Sequence, residues 1–324
     1  MIATVVGNYP KIGVDAQSPN LRSAISRFDS GQITEEELHR IEDEVTKGVI
    51  EEQLEAGLDM ITDGQIRWED GQTYFAGKIQ GFRITGLIRY FDTNTYYRQP
   101  IAEERLQWQG PISLRDYRFA ASISSKPVKA VITGPYTLAK LSKGPFYNDF
   151  KSLVMSLADI LNQEAKALAQ AGASVIQFDE PAILNNKGDF PLFQEAMNVL
   201  IRGVSSKTAL YTYFGDISDL HPGFFELPVH ILGLDFVVGT RNWAFLKDFP
   251  TDKELGLGII DARNTKLETV EKIIEAIERA SKHVSLNRLH INPSCGLEFL
   301  PRSNAYSKLV RMVEAAARAK ELLS

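Results

Sequence analysis

The chain has 324 residues, 44% hydrophobic and 24% charged, enough to bury one large core. Its formal charge of −5 comes without a cluster of Lys and Arg, so the electrostatic footprint of a nucleic-acid binder is absent. One Cys excludes an intramolecular disulfide, no apolar run reaches the roughly 20 residues that cross a bilayer, and MIATVVGNYP lacks the regions of a secretory signal; a cytoplasmic protein without a membrane partner is expected.

In chain order, Thr4–Val6 reads as the first strand, and Thr34 with Glu37 has the capping-box spacing that opens a helix. Met60–Thr62 is the second strand. The span to the third, Ala130–Thr133, is too long for one helix and contains Phe82–Pro100, dense in β-branched and aromatic residues, which reads as an inserted β-hairpin. Ser152–Ala171 is a helix, with Leu153, Leu157, Ile160, Leu161, Ala165 and Leu168 at helical spacing and Gly172 closing it. Val175–Phe178, the polar loop Asn185–Phe190, and the strands Ala209–Tyr213, Leu234–Val238, Leu257–Ile260 and Leu289–Asn292 follow. Segments such as AVIT and VIQF are apolar throughout, as parallel strands buried on both faces must be. Eight strand-helix units predict an α/β protein, a single (β/α)8 TIM barrel over residues 1–324 with the hairpin inserted between strands 2 and 3. No Gly-x-Gly-x-x-Gly follows the first strand, which argues against a dinucleotide site.

The C-terminal ends of barrel strands form the active face, so polar residues there are the first functional candidates. They are Asn8 and Tyr9; Asp63, Gln65 and Arg67; Thr133; Asp179 and Glu180; Tyr211 and Tyr213; Asp235; Asp261, Arg263 and Asn264; Ser294 and Cys295. Any one of them could equally cap a helix. Asp179-Glu180-Pro181 is the sharpest feature, because adjacent carboxylates at the end of a buried strand are costly unless they bind a substrate ammonium, the donors of a pterin-like ring, or a neighbouring Arg. Arg67-Trp68-Glu69-Asp70 joins a bidentate cation to an aromatic surface and suits a flat anionic ligand. Tyr90, Phe91, Tyr96 and Tyr97 in the hairpin offer stacking surfaces or cross-strand pairs. Cys295 is a metal ligand, a nucleophile or a small buried apolar residue; His283 and His290 are the nearest imidazoles in sequence, and neither completes a zinc spacing.

Seven ordered motifs carry a resemblance: Asn8-Tyr9-Pro10-Lys11-Ile12-Gly13, Asp63-Gly64-Gln65, Phe91-Asp92-Thr93-Asn94-Thr95-Tyr96, Thr133-Gly134-Pro135-Tyr136-Thr137, Gln177-Phe178-Asp179-Glu180-Pro181-Ala182, Thr212-Tyr213-Phe214-Gly215 and Asn292-Pro293-Ser294-Cys295-Gly296-Leu297. Along essentially its full length the chain resembles the cobalamin-independent methionine synthase family, the 5-methyltetrahydropteroyltriglutamate–homocysteine methyltransferases. The resemblance implies two related barrels, a metal-free N-terminal one and a zinc-bearing catalytic one, that methylate homocysteine from a methyl-folate donor. Where the catalytic half has its His-x-Cys zinc pair, this chain has Tyr211 and Tyr213; Asp235 stands near the position of the Glu ligand, and Cys295 alone is retained. Gly64-Gln65-Ile66-Arg67 likewise departs from the Gly-Glu-x-x-Arg that helps hold homocysteine in the catalytic half.

The resemblance is closest to the zinc-free half. It implies a donor-binding companion of a separate zinc-bearing methionine synthase barrel, with no tightly bound cofactor and methyl-tetrahydrofolate or another methyl-pterin as ligand. Lys11 and Arg22 are expected near the donor's carboxylate tail, Asp63, Gln65, Arg67, Asp179 and Glu180 in the cleft, and Tyr96 and Tyr97 as stacking surfaces. The alternative is an autonomous homocysteine S-methyltransferase with a degenerate zinc site at Cys295 and Asp235, whose donor could be a methyl-corrinoid protein. A third reading is a vestigial barrel whose cleft binds nothing.

Overall fold

The computed structural model describes residues 1–12 and 21–323, so Gly13 of the first motif lies outside the described residues. Among the described residues nine strands form in chain order: β1 (Ile2–Ala3), β2 (Ile79–Arg89), β3 (Tyr96–Trp108), β4 (Ala130–Thr133), β5 (Val175–Asp179), β6 (Lys207–Tyr211), β7 (Ile231–Asp235), β8 (Glu254–Ile260) and β9 (Leu289–Pro293). Seven of them make a curled parallel sheet in the order β1-β9-β8-β7-β6-β5-β4. The expected second strand is reduced to two parallel bridges, Thr4 with Met60 and Ile61 with Val128, and these join the two edges of the sheet. A (β/α)-barrel results, as the sequence predicts.

The first strand lies at Ile2–Ala3, ahead of the expected Thr4–Val6, and two others stop short of their expected ends. Leu234–Val238 was expected as a strand, but pairing runs over Ile231–Asp235, because Asp235 turns the chain by accepting the backbone N–H groups of Val237 and Val238 at 2.8 and 2.9 Å. β6 likewise stops at Tyr211, two residues before the expected end at Tyr213. The hairpin β2–β3 is antiparallel and longer than Phe82–Pro100, reaching from Ile79 to Trp108.

The helices are α1 (Leu21–Asp29), α2 (Glu35–Glu55), α3 (Gly71–Ala76), α4 (Leu114–Ile123), α5 (Pro135–Lys140), α6 (Phe150–Gln170), α7 (Phe190–Leu200), α8 (Asn242–Phe245), α9 (Val270–Ser281) and α10 (Arg302–Leu323). Thr34 and Glu37 form the expected reciprocal capping box on α2. α6 is capped by Asp149 and buries Leu153, Leu157, Ile160, Leu161, Ala165 and Leu168 against the sheet. No helix among the described residues is long and apolar enough to cross a membrane.

The barrel interior is packed. Tyr211 projects into it, over the backbone of Gly233 and Gly256, where any Cβ would collide with the ring. Lys129, just before β4, enters the same interior, its Nζ donating to Val5 O at 2.6 Å and lying 4.7 Å from the Tyr211 ring centre. Directly above this layer, at the strand C-termini, the barrel opens into a cleft.

Candidate functional site

The cleft has a volume of about 540 Å³ and is framed by four groups of elements. The turn after β1 supplies Asn8 and Lys11, the turn before α3 supplies Gln65, Trp68 and Asp70, the hairpin supplies Tyr90 and Tyr96, and the strand ends supply Asp179, Tyr213 and Glu298. Three non-glycine residues with left-handed backbone stand around this opening: Gln65 (φ 53°), Phe91 (φ 48°) and Phe214 (φ 72°). Such conformations cost on the order of 1–3 kcal/mol each and persist where the surrounding structure fixes them. Phe91 and Phe214 hold one another at a ring separation of 5.9 Å, which fastens the hairpin over β6.

Asp179 is the floor. Gln177 Nε2 donates to its Oδ1 at 2.6 Å and also to Val6 O at 2.7 Å, so one amide ties β5 to the turn after β1 and fixes the carboxylate's orientation. Tyr213 adds a longer contact of 3.4 Å through its hydroxyl. Burial pushes the Asp179 carboxyl up to about 7, against the opposing pull of Gln177 and the charge of Lys129. Glu298 is the second acid of the cleft, also raised to about 7 by burial, with Asn8 Nδ2 3.5 Å from Oε1 and no protein partner for Oε2. Gly296 makes room for it, since a Cβ there would overlap the carboxylate. Sequence reasoning missed Glu298; its only signal was its place just after the Cys295-Gly296-Leu297 motif.

Of the residues expected in the site, the cleft gathers Lys11, Gln65, Tyr96 and Asp179. Lys11 donates to Trp68 O, and burial lowers its pKa. Gln65 is 1% exposed, and neither its Oε1 nor its Nε2 meets a protein partner. An unpaired buried amide costs about 1–3 kcal/mol, and among the described residues the protein supplies nothing that offsets it here.

The other expected residues have different tasks. Arg22 lies on the exposed surface of α1, outside the cleft lining. Asp63 turns back to accept the N–H of Gln65 at 3.1 Å and lines a small crevice beside Lys129, its carboxyl raised to about 6 by burial. Arg67 was expected to meet an anionic ligand; it is paired with Asp43 and lies 3.6 Å from Asp116, because α2 and α4 bring carboxylates to it first. Glu180 faces away, accepting the N–H groups of Tyr136 at 2.9 Å and Thr137 at 2.7 Å, and so it caps α5. Tyr97 alternates to the inner side of β3 and is buried, leaving Tyr96 toward the cleft. The expected anion-binding pair of Lys11 and Arg22 is therefore not assembled. The other cation of the lining, Arg302, is held by Glu52 at 2.8 Å.

The zinc implied by the resemblance does not fit the donor set. Tyr211 and Tyr213 are phenols whose ionisation burial opposes, Tyr211 fills the barrel interior, and Asp235 is occupied by the N–H groups of Phe214, Val237 and Val238. Cys295 is buried, its thiol pushed well up and directed at Gly296 O at 3.5 Å. His290 lies at the opposite end of β9, 2.5 Å from Glu254. Among the described residues no group of three or more His, Cys, Asp or Glu could hold a metal ion, whereas a catalytic zinc takes about three protein ligands.

Comparison with known proteins places these features in context. Residues 1–318 match the family model described as cobalamin-independent synthase, catalytic domain. A methionine synthase of Saccharolobus solfataricus is 36% identical across 99% of this chain and 95% of its own length. One from Sulfurisphaera tokodaii is 34% identical across 99% and 93%. Among solved structures, a B12-independent methionine synthase from Shewanella sp. W3-18-1 in complex with selenomethionine superposes with a TM-score of 0.86 at 21% identity, covering 99% of this chain and 98% of that one. A methyltransferase from Methanosarcina mazei gives 0.61 at 15% identity, covering 97% and 94%.

Proposed function

The chain belongs to the cobalamin-independent methionine synthase family, and from that premise we propose that it takes part in methionine formation as a one-barrel protein, binding a methyl-folate or related methyl donor, with homocysteine as acceptor, in the cleft over Asp179. The observation that carries the reading is the pairing of Asp179 and Glu298, two buried acids raised to about 7, with the aromatic walls of Trp68, Tyr90 and Tyr96. A carboxyl with a pKa near 7 can give or take a proton in a neutral solution. One of the pair receives the thiol proton of the acceptor as the sulfur–methyl bond forms. The other returns a proton to the donor nitrogen as the nitrogen–methyl bond breaks.

Relatives of about this chain's own length, matched nearly end to end, support one chain carrying the activity. They give no support to a separate catalytic partner, and the matching family model is that of the catalytic domain, although the Tyr213-Phe214 segment suggested the zinc-free half. Both halves of the family are related barrels, which is why single segments divide them poorly. The companion reading keeps one observation in its favour, the phenols of Tyr211 and Tyr213 at the positions of the zinc pair.

An assay of methionine from homocysteine separates the two. The purified chain alone, given 5-methyltetrahydrofolate or a methyl-corrinoid donor, is expected to form methionine, and Asp179→Asn to lower the rate at least about tenfold, within the usual range for losing an acid–base group. Methionine formed only after a zinc-bearing barrel is added would replace this reading with the companion one.

A further inference from the structure

Gln65 takes no part in the proton transfers proposed for methyl transfer, and it stands where the family resemblance has the Glu of the Gly-Glu-x-x-Arg segment that helps hold homocysteine. Its carboxamide is buried, carried on a left-handed turn with Gly64 at φ 69° and Gln65 at φ 53°, and unpaired at both ends. Its seat is specially cleared, because a Cβ on Gly7 would lie 2.7 Å from Nε2. Trp68 Nε1, from the same turn, is also buried without a partner.

A carboxamide presents one acceptor beside one donor, and flipping the amide changes only which is which. A carboxylate in front of it would leave Oε1 facing another acceptor, and an ammonium would leave Nε2 facing another donor. A ring lactam, with N–H adjacent to C=O, satisfies both through two parallel hydrogen bonds. The aromatic rings of Trp68, Tyr90 and Tyr96 around the cleft favour such a flat ring over an aliphatic zwitterion. We propose that Gln65 is a specificity-determining residue that reads the lactam edge of a flat heterocyclic ligand, aimed by the left-handed turn and by the absence of a side chain at Gly7. The assignment rests on the cleft being the methyl-transfer site.

Calorimetric titration with 5-methyltetrahydrofolate tests it, using the wild-type chain, Gln65→Met and Gln65→Glu, at pH 7.5 and pH 5, with L-methionine as a second probe and thermal melts to establish folding. Gln65→Met is expected to bind the pterin at least about tenfold more weakly at both pH values, as loss of a paired hydrogen bond implies. Gln65→Glu should be equally weak at pH 7.5 and recover at pH 5, where the protonated carboxyl again offers a donor beside an acceptor. Wild-type binding that neither substitution changes overturns the role of Gln65 and leaves the methyl-transfer reading standing. A loss confined to L-methionine overturns the lactam assignment. No binding of the pterin by the wild-type chain removes the underlying reading and this inference with it.

Discussion

Asp179 and Glu180 are neighbours in sequence that the strand end sends to opposite sides. Asp179 meets the cleft, and Glu180 meets the first turn of α5. Glu180→Ala would strand two buried N–H groups and is expected to cost about 2–3 kcal/mol in a urea melt, with ligand affinity of the folded protein unchanged. Asp179→Asn is expected to act oppositely. The Asp179 carboxyl is raised from its ordinary range to about 7 in the folded chain, so its proton is held more tightly folded than unfolded. Its contribution to stability is complete below the unfolded pKa and is lost as pH rises through about 7. Asparagine removes that loss, so thermal melts should show a larger gain in Tm for the variant at pH 8 than at pH 5. A binding residue that lowers stability in its working pH range is a common price of function.

At the level of elements, the hairpin is one wall of the site, and one carboxylate fastens its base. Glu164 on α6 accepts from Trp108 Nε1 at 3.2 Å, from the backbone N–H groups of Ile112 and Ser113 at 2.7 and 2.8 Å, and from Ser113 Oγ at 2.8 Å. Glu164→Gln turns a donor toward donors and is expected to lower stability by about 3 kcal/mol. Amide exchange should then quicken across residues 79–108, and the affinity of ligands resting on Tyr90 and Tyr96 should fall with it. The hairpin was legible in the sequence because aromatic and β-branched residues crowd Phe82–Pro100 between two strands. Its full length was not, since Ile79 to Gly81 and Ile101 to Trp108 mix polar and apolar residues and gain their order from α3 and α6. The second barrel strand was overestimated for a related reason: Met60–Thr62 has the composition of a strand, but only single bridges form on either side of it.

Across the molecule, the barrel and the position of its open face follow from apolar runs closed by polar residues, a pattern the sequence displays directly. Which strand-end residue enters the cleft does not follow from that pattern. Arg67 is claimed by Asp43 on α2 and approached by Asp116 on α4, and Glu298, given room locally by Gly296, meets Asn8 from the turn after β1; the contacts to Asp43, Asp116 and Asn8 all join distant segments. The same long-range packing fills the barrel with Tyr211 and ties up Asp235, so among the described residues the donor set that the resemblance implies for zinc is not assembled. What remains is an acidic, aromatic cleft resting on Asp179. Equilibrium titration of the wild-type chain and Asp179→Asn with 5-methyltetrahydrofolate, at pH 7.5 in the presence of homocysteine, addresses this most directly. Saturable binding of one ligand per chain, weakened at least about tenfold by the substitution, is the expected result; identical isotherms for the two proteins, or no saturation by either, would contradict the account.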